Sequence, residues 1–387
     1  MSTADRPTES AAAASDIAAV CRDAEFVRLV ATADGDALAA TGVLARALAA
    51  TDRPFQASVV APTATAERAT EADATITLGR DDATADATIP AGSEPVSEVA
   101  FRAAEELGSA DAVLALAGAT VADATPSGRL REAAGVERRP GVATPTADLT
   151  EGLAYGTRLH APFSGDPESV RTALADCNLM LAAEDADGMD EDDRRRLASM
   201  IALRTVGADD ASRRAAECVE DALRPHEGGP FGTVEGYGDV LDAVAREAPG
   251  TGVALALGHD AREAALDAWR THGERAHRAL GAATTGRYDG LFVARGAAGD
   301  LDLGETDAIP VGTVARLLRD FRSPEPVALF VTDGEAAVAS VEDRQLGATM
   351  DAAVERVGGR AAGTSRHAQA AFETDTASFI EAFREAL

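Results

Sequence analysis

The chain contains no lysine, so all 36 of its basic residues are arginine, and they stand against 65 acidic residues for a net charge of −29. A phosphate-binding P-loop requires a lysine, and no G-x-G-x-x-G follows an apolar strand. Aromatic residues make up only 4% of the chain, which argues against an extensive base-stacking surface. These absences disfavour nucleotide hydrolysis, dinucleotide binding and broad recognition of bases.

Cysteine is also scarce, with three residues in the chain. Cys21, Cys177 and Cys218 are far apart and odd in number, which predicts buried free thiols instead of a metal knuckle. No apolar run approaches membrane-spanning length, and the first residues lack the basic lead of a signal peptide. A strongly acidic surface is typical of proteins that must stay hydrated and apart in concentrated salt. We therefore expect a protein of a high-salt cytosol with no membrane partner.

Strand-like and helix-like segments alternate along the chain, as in α/β proteins. The predicted strands are 26–32, 56–61, 73–78, 111–117, 252–258, 290–296 and 326–334. The predicted helices are 37–50, 95–107, 166–182, 190–206, 210–223, 234–247, 260–280, 311–321 and 347–356, with Ser93 as the N-cap of the second.

This alternation predicts two α/β domains joined by a helical connector. The N-terminal domain has a doubly wound parallel sheet, and the C-terminal domain has a mixed sheet. A Pro/Gly cluster at 224–232 is the best domain boundary. The predicted limits are a disordered tail and short helix at 1–24, a first domain at 25–180, the connector at 181–225 and a second domain at 226–387.

Three aspartates lie where predicted strands end. Asp34 and Asp36 follow the first strand, and Asp123 follows the apolar stretch 111–117. Open α/β sheets place their chemistry at this edge, and carboxylates there suit a hard divalent metal. The alternative is structural, because Asp caps helices and Gly35 permits a tight turn. Both interpretations stay open on the residues alone.

The chain resembles the DHH/DHHA1 phosphoesterases, specifically the archaeal RecJ-like single-strand exonucleases, over nearly its whole length. Residues 32–37, Thr-Ala-Asp-Gly-Asp-Ala, correspond to the His-x-Asp-Ala-Asp-Gly motif of that family. Residues 233–247 resemble the opening helix of a DHHA1 domain, with Asp242 and Arg246 at its Asn and Arg positions. The stretch 363–372 resembles the Gly-Gly-His signature that contacts the nucleic-acid backbone, with His367 at its His.

The resemblance implies a site for two Mn²⁺ or Mg²⁺ ions, of which this chain keeps Asp34, Asp36 and Asp123. Thr32 replaces the first histidine, and no Asp-His-His exists. The best candidates for a fourth ligand are Asp81, Asp82 and Asp86, which follow the strand 73–78. Three carboxylates without imidazole do not make a two-metal clamp. We therefore expect no required cofactor, or weakly bound Mg²⁺ or Mn²⁺, and no efficient hydrolysis.

The resemblance also implies a nucleic-acid-binding segment near the C-terminus. Its candidate residues combine arginine and histidine with glycines that let main-chain amides approach phosphate; they are Gly358, Gly359, Arg360, Gly363, Arg366 and His367. Secondary candidates for phosphate contacts are Arg129, Arg131 and Arg246. The alternative for the C-terminal segment is an ordinary surface loop before a short strand.

Three functions follow from the resemblance. The leading one is a catalytically degenerate RecJ-like protein that binds single-stranded DNA or RNA, or serves as a scaffold in replication or repair. Its partners, by analogy with the inactive RecJ descendant of eukaryotic replication helicases, are replication proteins such as GINS or MCM. The second is an active metal-dependent 5′→3′ single-strand exonuclease or phosphodiesterase. The third is a subunit that binds only proteins.

Overall fold

The structure, a computed structural model, describes residues 6–64, 71–122, 124–179, 189–296 and 308–387. Its strands are β1 (Val27–Thr32), β2 (Phe55–Val60), β3 (Ala74–Leu78), β4 (Ala87–Ile89), β5 (Thr284–Tyr288), β6 (Leu291–Arg295), β7 (Val327–Val331), β8 (Glu335–Ser340), β9 (Gly359–Gly363) and β10 (His367–Phe372).

Helices occupy most of the remaining described chain. They are α1 (Arg6–Asp23), α2 (Gly35–Ala50), α3 (Val96–Leu107), α4 (Ala112–Val121), α5 (Gly128–Ala134), α6 (Leu149–Tyr155), α7 (Pro167–Asp176), α8 (Glu191–Val206), α9 (Ala215–Ala222), α10 (Val234–Glu247), α11 (Pro249–Ala256), α12 (Arg262–Ala282), α13 (Val311–Leu317), α14 (Leu346–Val357) and α15 (Thr376–Ala386). A short π-helix, Leu318–Arg322, continues α13.

Strands β1 to β4 form a parallel sheet in the order β2-β1-β3-β4 within the described ranges. Every residue of the inner strand β1 is buried, which its apolar sequence Val-Arg-Leu-Val-Ala-Thr largely explains. Because the strands are parallel, their carboxyl ends meet at one edge of the sheet. The turn from β1 into α2, which carries Asp34, Gly35 and Asp36, lies at that edge.

Strands β5 to β10 form a mixed sheet in the order β5-β6-β7-β8-β10-β9 over the same described ranges. The pair β6 and β7 is parallel, and the other neighbours are antiparallel. The prediction of an α/β protein with one parallel and one mixed sheet is therefore confirmed.

The chain divides into two compact units. One comprises Met1–Glu137 and His226–Trp269, and the other comprises Arg138–Pro225 and Arg270–Leu387. The parallel sheet belongs to the first unit and the mixed sheet to the second. The first unit thus includes α10 and α11, which the sequence-based division places in the second domain. The compact units do not test the predicted domain limits, which therefore remain a prediction.

Two predicted strands are helices. The stretch 111–117 overlaps α4, and 252–258 overlaps α11. A short apolar run fits a buried strand and a buried helix equally well, so periodicity alone does not separate them. Alanine and leucine dominate both runs and favour helix, and each helix has a start signal. Asp111 caps α4 by accepting from the Leu114 N–H, and Pro249 is the first residue of α11.

The predicted disordered tail, residues 1–15, is wrong from residue 6 onward, because α1 already begins at Arg6. Its buried residues Ala14, Ile17, Ala18 and Cys21 follow helical spacing, so packing of one face stabilises the helix. Burial raises the pKa of the Cys21 thiol to about 11, as expected for an unreactive free cysteine. No helix in the described ranges is long and apolar enough to cross a membrane.

Candidate functional site

Asp34 begins helix α2. It has extended backbone angles, and its carboxylate Oδ1 accepts the N–H of Ala37 at 2.8 Å, which makes it the N-cap of the helix. Burial, and then the negative charge of Asp36, raise the pKa of Asp34 to about 6. The first aspartate of the motif is therefore a helix cap held close to a second carboxylate.

Asp36 caps a different helix. Its Oδ2 accepts the N–H of Val96 at 2.7 Å and its Oδ1 accepts the N–H of Ser97 at 2.9 Å, so both carboxylate oxygens face the first turn of α3. Pro95 at the start of α3 has no capping side chain, which corrects the prediction that Ser93 caps this helix. Asp36 is 8% exposed, and burial raises its pKa in spite of these bonds.

Gly35 joins this turn to α10. Its N–H donates to Asp242 Oδ1 at 3.0 Å, and a Cβ at Gly35 would lie 2.8 Å from the backbone nitrogen of Asp242, so the approach requires glycine. Arg246, one helical turn further on, forms an ion pair with Asp242 and donates to its carbonyl oxygen at 2.7 Å. The Arg246 side chain is only 22% exposed, and its charge favours the ionised form of Asp34.

Glu98 adds a further buried carboxylate beside the motif. It is 3% exposed, and its Oε2 accepts the N–H of Ser127 at 2.9 Å. Its negative charge also raises the pKa of Asp36. The sequence interpretation missed Glu98, because nothing in the sequence places α3 against the Asp-Gly-Asp turn.

The described residues do not fit the two-metal site that the resemblance implies. Thr32, at the position of the first histidine, donates its hydroxyl to the carbonyl oxygen of Gly79 at 2.9 Å. Each oxygen of Asp36 accepts a main-chain N–H, so the carboxylate faces a helix terminus. Across the described ranges there is no group of three or more His, Cys, Asp and Glu residues with the geometry to hold a metal ion.

The other predicted ligands do not join Asp34 and Asp36. Asp86 precedes β4, and its Oδ2 accepts the N–H of Thr75, near the start of β3, at 2.8 Å. In a parallel sheet that is the edge opposite to Asp34. Asp82 accepts the N–H of Thr84 within its own turn at 2.8 Å, and Asp81 is exposed. Asp123 lies outside the described residues.

The C-terminal segment is a β-hairpin, not the predicted loop. Arg360 lies on β9, at the edge of the mixed sheet, and His367 is the first residue of β10. Only residues 364–366 form the connection, in which the Thr364 hydroxyl accepts the N–H of Arg366 at 3.2 Å. Gly359 has a φ of 148°, and a Cβ there would lie 2.4 Å from the carbonyl oxygen of Ala371.

Close packing between strands and positive backbone angles therefore explain why glycine is required in this hairpin. Gly358 also has a positive φ, of 82°, and a Cβ at Gly363 would lie 2.4 Å from the Cα of Ala368. Arg360 is exposed, and no hydrogen bond or ion pair engages its guanidinium in the part of the chain that the structure describes. It is the predicted residue most available for a phosphate group.

The secondary arginine candidates are already engaged. Arg129 pairs with Glu105 at 2.8 Å, and Arg131 donates to the carbonyl oxygen of Ser127 at 3.4 Å. Arg246 is held by Asp242, as described above. Arg129 and Arg131 are exposed and can exchange partners, whereas Arg246 is committed to the interior of its unit.

The second unit contains a pair of histidines in contact, His160 and His277. His160 Nδ1 and His277 Nδ1 are 3.0 Å apart, and His277 Nε2 lies 3.1 Å from the Gly156 carbonyl oxygen. A carbonyl oxygen can only accept a hydrogen bond, so His277 Nε2 carries the N–H that binds Gly156. In the neutral ring His277 Nδ1 is then the acceptor, and His160 Nδ1 is the donor. Burial, and then the charges of His277 and Arg322, hold the pKa of His160 well below its usual value.

Comparison with known proteins gives one relative with strong sequence similarity. The chain is 53% identical over 391 residues to the uncharacterized protein rrnAC1427 of Haloarcula marismortui, and the match covers 100% of both proteins. Residues 283–385, which contain the mixed sheet, match the family model described as the C-terminal domain of uncharacterized protein rrnAC1427.

Solved structures give fold similarity at low identity. Cdc45 from Entamoeba histolytica aligns with a TM-score of 0.53 and 8% identity, covering 98% of each chain. An exonuclease RecJ bound to manganese aligns with a TM-score of 0.46 and 16% identity, covering 97% of this chain and 92% of its own. The Cdc45 alignment shows a shared fold over nearly the whole length.

Proposed function

The chain belongs to the family of protein rrnAC1427 of Haloarcula marismortui, and we propose that it is a catalytically inactive relative of the DHH/DHHA1 phosphoesterases that acts as a binding subunit. In this proposal the first domain, 25–180, keeps the fold of a phosphoesterase, and the second, 226–387, contacts single-stranded nucleic acid. The connector is 181–225. The setting is a high-salt cytosol, consistent with the net charge of −29.

The bonding of Asp36 is the observation that carries this proposal. A two-metal phosphodiesterase needs carboxylates whose oxygens bridge or bind the ions. In this chain both oxygens of Asp36 accept main-chain N–H groups of α3 at 2.7 and 2.9 Å. The positive end of the α3 dipole thus takes the place where a cation would sit. An aspartate committed in this way supports a structural role.

Arg246 supports the same proposal from the other side of the motif. Its guanidinium pairs with Asp242, which in turn accepts the Gly35 N–H at 3.0 Å. The positive charge beside Asp34 therefore comes from the chain itself and needs no metal ion. A cation fixed by the fold offsets part of the negative charge beside Asp34, but it supplies neither an activated water nor an open coordination position.

The fold shared with Cdc45 supports a scaffold role, with replication proteins such as GINS or MCM as the partners proposed by analogy. For nucleic acid, we assign the phosphate contacts to the hairpin of β9 and β10, with Arg360 and Arg366 as the charged groups. Backbone phosphate is the target because the chain has few aromatic residues for stacking on bases.

A nuclease assay in concentrated KCl with Mn²⁺ tests the proposal. The substrates are 5′- and 3′-labelled single-stranded DNA and RNA, and the comparison is with Asp34→Ala/Asp36→Ala. The matched control is Asp148→Ala, which removes another aspartate N-cap, that of α6, outside the motif. We expect the same background rate for all three proteins. Activity that the double variant loses and the control keeps would refute the proposal.

One observation favours the second candidate, a metal-dependent exonuclease. Asp34 has a pKa raised to about 6 partly because Asp36 lies beside it, and such a pair gains stability from a divalent cation. Calorimetric titration with Mn²⁺ separates the two functions. Saturable binding that Asp34→Asn abolishes supports the exonuclease, and no binding supports the inactive subunit.

A further inference from the structure

Three polar side chains lie side by side on neighbouring strands of the parallel sheet. Arg28 on β1 is directly opposite Gln56 on β2 and directly opposite Thr75 on β3. Residues in register on adjacent strands point to the same face, so the three side chains share one face of the sheet. They lie near the amino ends of the strands, at the edge opposite to Asp34 and Asp36.

Arg28 is buried and has no partner among the residues that the structure describes. The residue is 6% exposed, and its Nη2 is buried with no hydrogen-bond partner. Within the described part of the chain, no hydrogen bond or ion pair engages its guanidinium, the Gln56 amide or the Thr75 hydroxyl. A buried polar group with no partner is rare in folded proteins, and one explanation is an ion that the protein binds.

The chemistry of the three groups selects an anion. A guanidinium offers only donors, an amide offers an N–H₂ group, and a hydroxyl donates as readily as it accepts. The carboxylate of Asp86 accepts the main-chain N–H of Thr75 at 2.8 Å and forms no ion pair with Arg28. An unpaired buried charge destabilises the fold, so a bound counter-ion stabilises it.

We propose that Arg28, Gln56 and Thr75 form a binding site for a small inorganic anion, either chloride or an oxyanion such as phosphate. The guanidinium supplies the charge, and the amide and hydroxyl complete the donor set. A small ion is required because Arg28 is almost entirely enclosed, whereas exposed Gln56 leaves the site open on the side of β2. The site does not depend on the function proposed above.

Thermal unfolding at constant ionic strength tests the site. Potassium gluconate, whose anion is too bulky to enter, is replaced stepwise by potassium chloride or, in a separate series, by potassium phosphate. We expect the Tm of the wild type to rise saturably by about 2–4 °C in at least one series, as binding to the native state alone requires. The series that saturates identifies the anion.

The Arg28→Met variant provides the decisive comparison. It should lose the saturable rise and, in gluconate, should be at least as stable as the wild type, because it no longer buries an unpaired charge. Arg171→Met, which removes a half-exposed arginine on α7, should respond as the wild type does. If Arg28→Met does not fold, Thr75→Val and Gln56→Leu should each weaken anion affinity at least threefold. An unchanged anion response in all these variants would overturn the proposal.

Discussion

The carboxylate of Asp36 accepts the main-chain N–H of Val96 at 2.7 Å, although the two residues are 60 positions apart. The neighbouring N–H, that of Ser97, binds the other oxygen of the same carboxylate. One aspartate thus satisfies two donors that the first turn of a helix leaves without an intrahelical acceptor. The contact fixes α3 against the turn from β1 into α2, which makes Asp36 a structural residue with a testable energy.

Asp36→Ala should lower the free energy of unfolding by about 2–4 kcal/mol, because two buried N–H groups lose their acceptor. Asp148→Ala removes an N-cap that accepts from a single N–H, that of Glu151 at 3.1 Å, and should lower it by only about 1 kcal/mol. Urea unfolding at fixed KCl measures both. Equal effects of the two substitutions would contradict the double-capping role of Asp36.

Asp34→Asn should stabilise the protein at pH 8. The pKa of Asp34 is raised to about 6 in the folded state and is near 4 in the unfolded chain, so the ionised carboxylate opposes folding at high pH. Asparagine also caps helices and carries no charge. We expect a gain of about 1–3 kcal/mol in the free energy of unfolding at pH 8 that disappears as the pH falls from about 6 to about 4. A variant less stable than the wild type at pH 8 would contradict the assignment.

The pair of His160 and His277 should make the second unit sensitive to acid. The pKa of His160 is lowered in the folded state, so the unfolded chain binds a proton more readily and stability is lost as the pH falls below about 6.5. His160→Asn keeps a donor near the position of Nδ1 but does not titrate. Its stability should therefore fall less between pH 7 and pH 5.

Unfolding curves at the two pH values measure this effect, with His367→Asn on the hairpin as the control. The groups that face His160 are His277 and Arg322, and Arg322 is itself paired with Asp210 at 2.6 Å. If His160→Asn loses as much stability between pH 7 and pH 5 as the wild type does, the acid sensitivity originates elsewhere in the chain.

The sequence predicted the turn at Asp34 and Asp36 but not what Asp36 binds. Local pattern is sufficient for Asp34, because a helix cap acts within three residues, here on Ala37. Asp36 reaches Val96 only through tertiary packing, which periodicity does not describe. A related limit explains the error at 111–117, because the largely buried, apolar helix α4 has no polar face to reveal its period.

The sequence also did not reveal that Arg28 lacks a partner among the described residues. Its position in an apolar strand was visible in the sequence, but the residues opposite to it depend on the pairing of β1 with β2 and β3. The arginines of the hairpin were found because the resemblance pointed to them, and their strand structure was missed because glycine is depleted in strands.

Binding of single-stranded nucleic acid should depend on the hairpin and not on the Asp-Gly-Asp turn. Arg360 is exposed on the edge strand β9 and is able to contact a phosphate group, whereas the carboxylates of Asp34 and Asp36 repel it. We expect Arg360→Ala/Arg366→Ala to weaken binding roughly tenfold or more, because each charge-assisted hydrogen bond contributes about 1.5–3 kcal/mol.

Fluorescence anisotropy with a labelled oligonucleotide at several KCl concentrations measures this loss. The matched control is Arg171→Ala/Arg195→Ala, which removes two exposed helical arginines and the same charge. Loss of phosphate contacts should also make the affinity of the hairpin variant depend less steeply on salt concentration. The control variant should show a smaller change in this dependence, because it alters only the overall charge. Equal losses in the two double variants would show that net charge, not the hairpin, governs binding. If Asp34→Asn/Asp36→Asn abolishes binding in metal-free buffer, the hairpin is not the binding site.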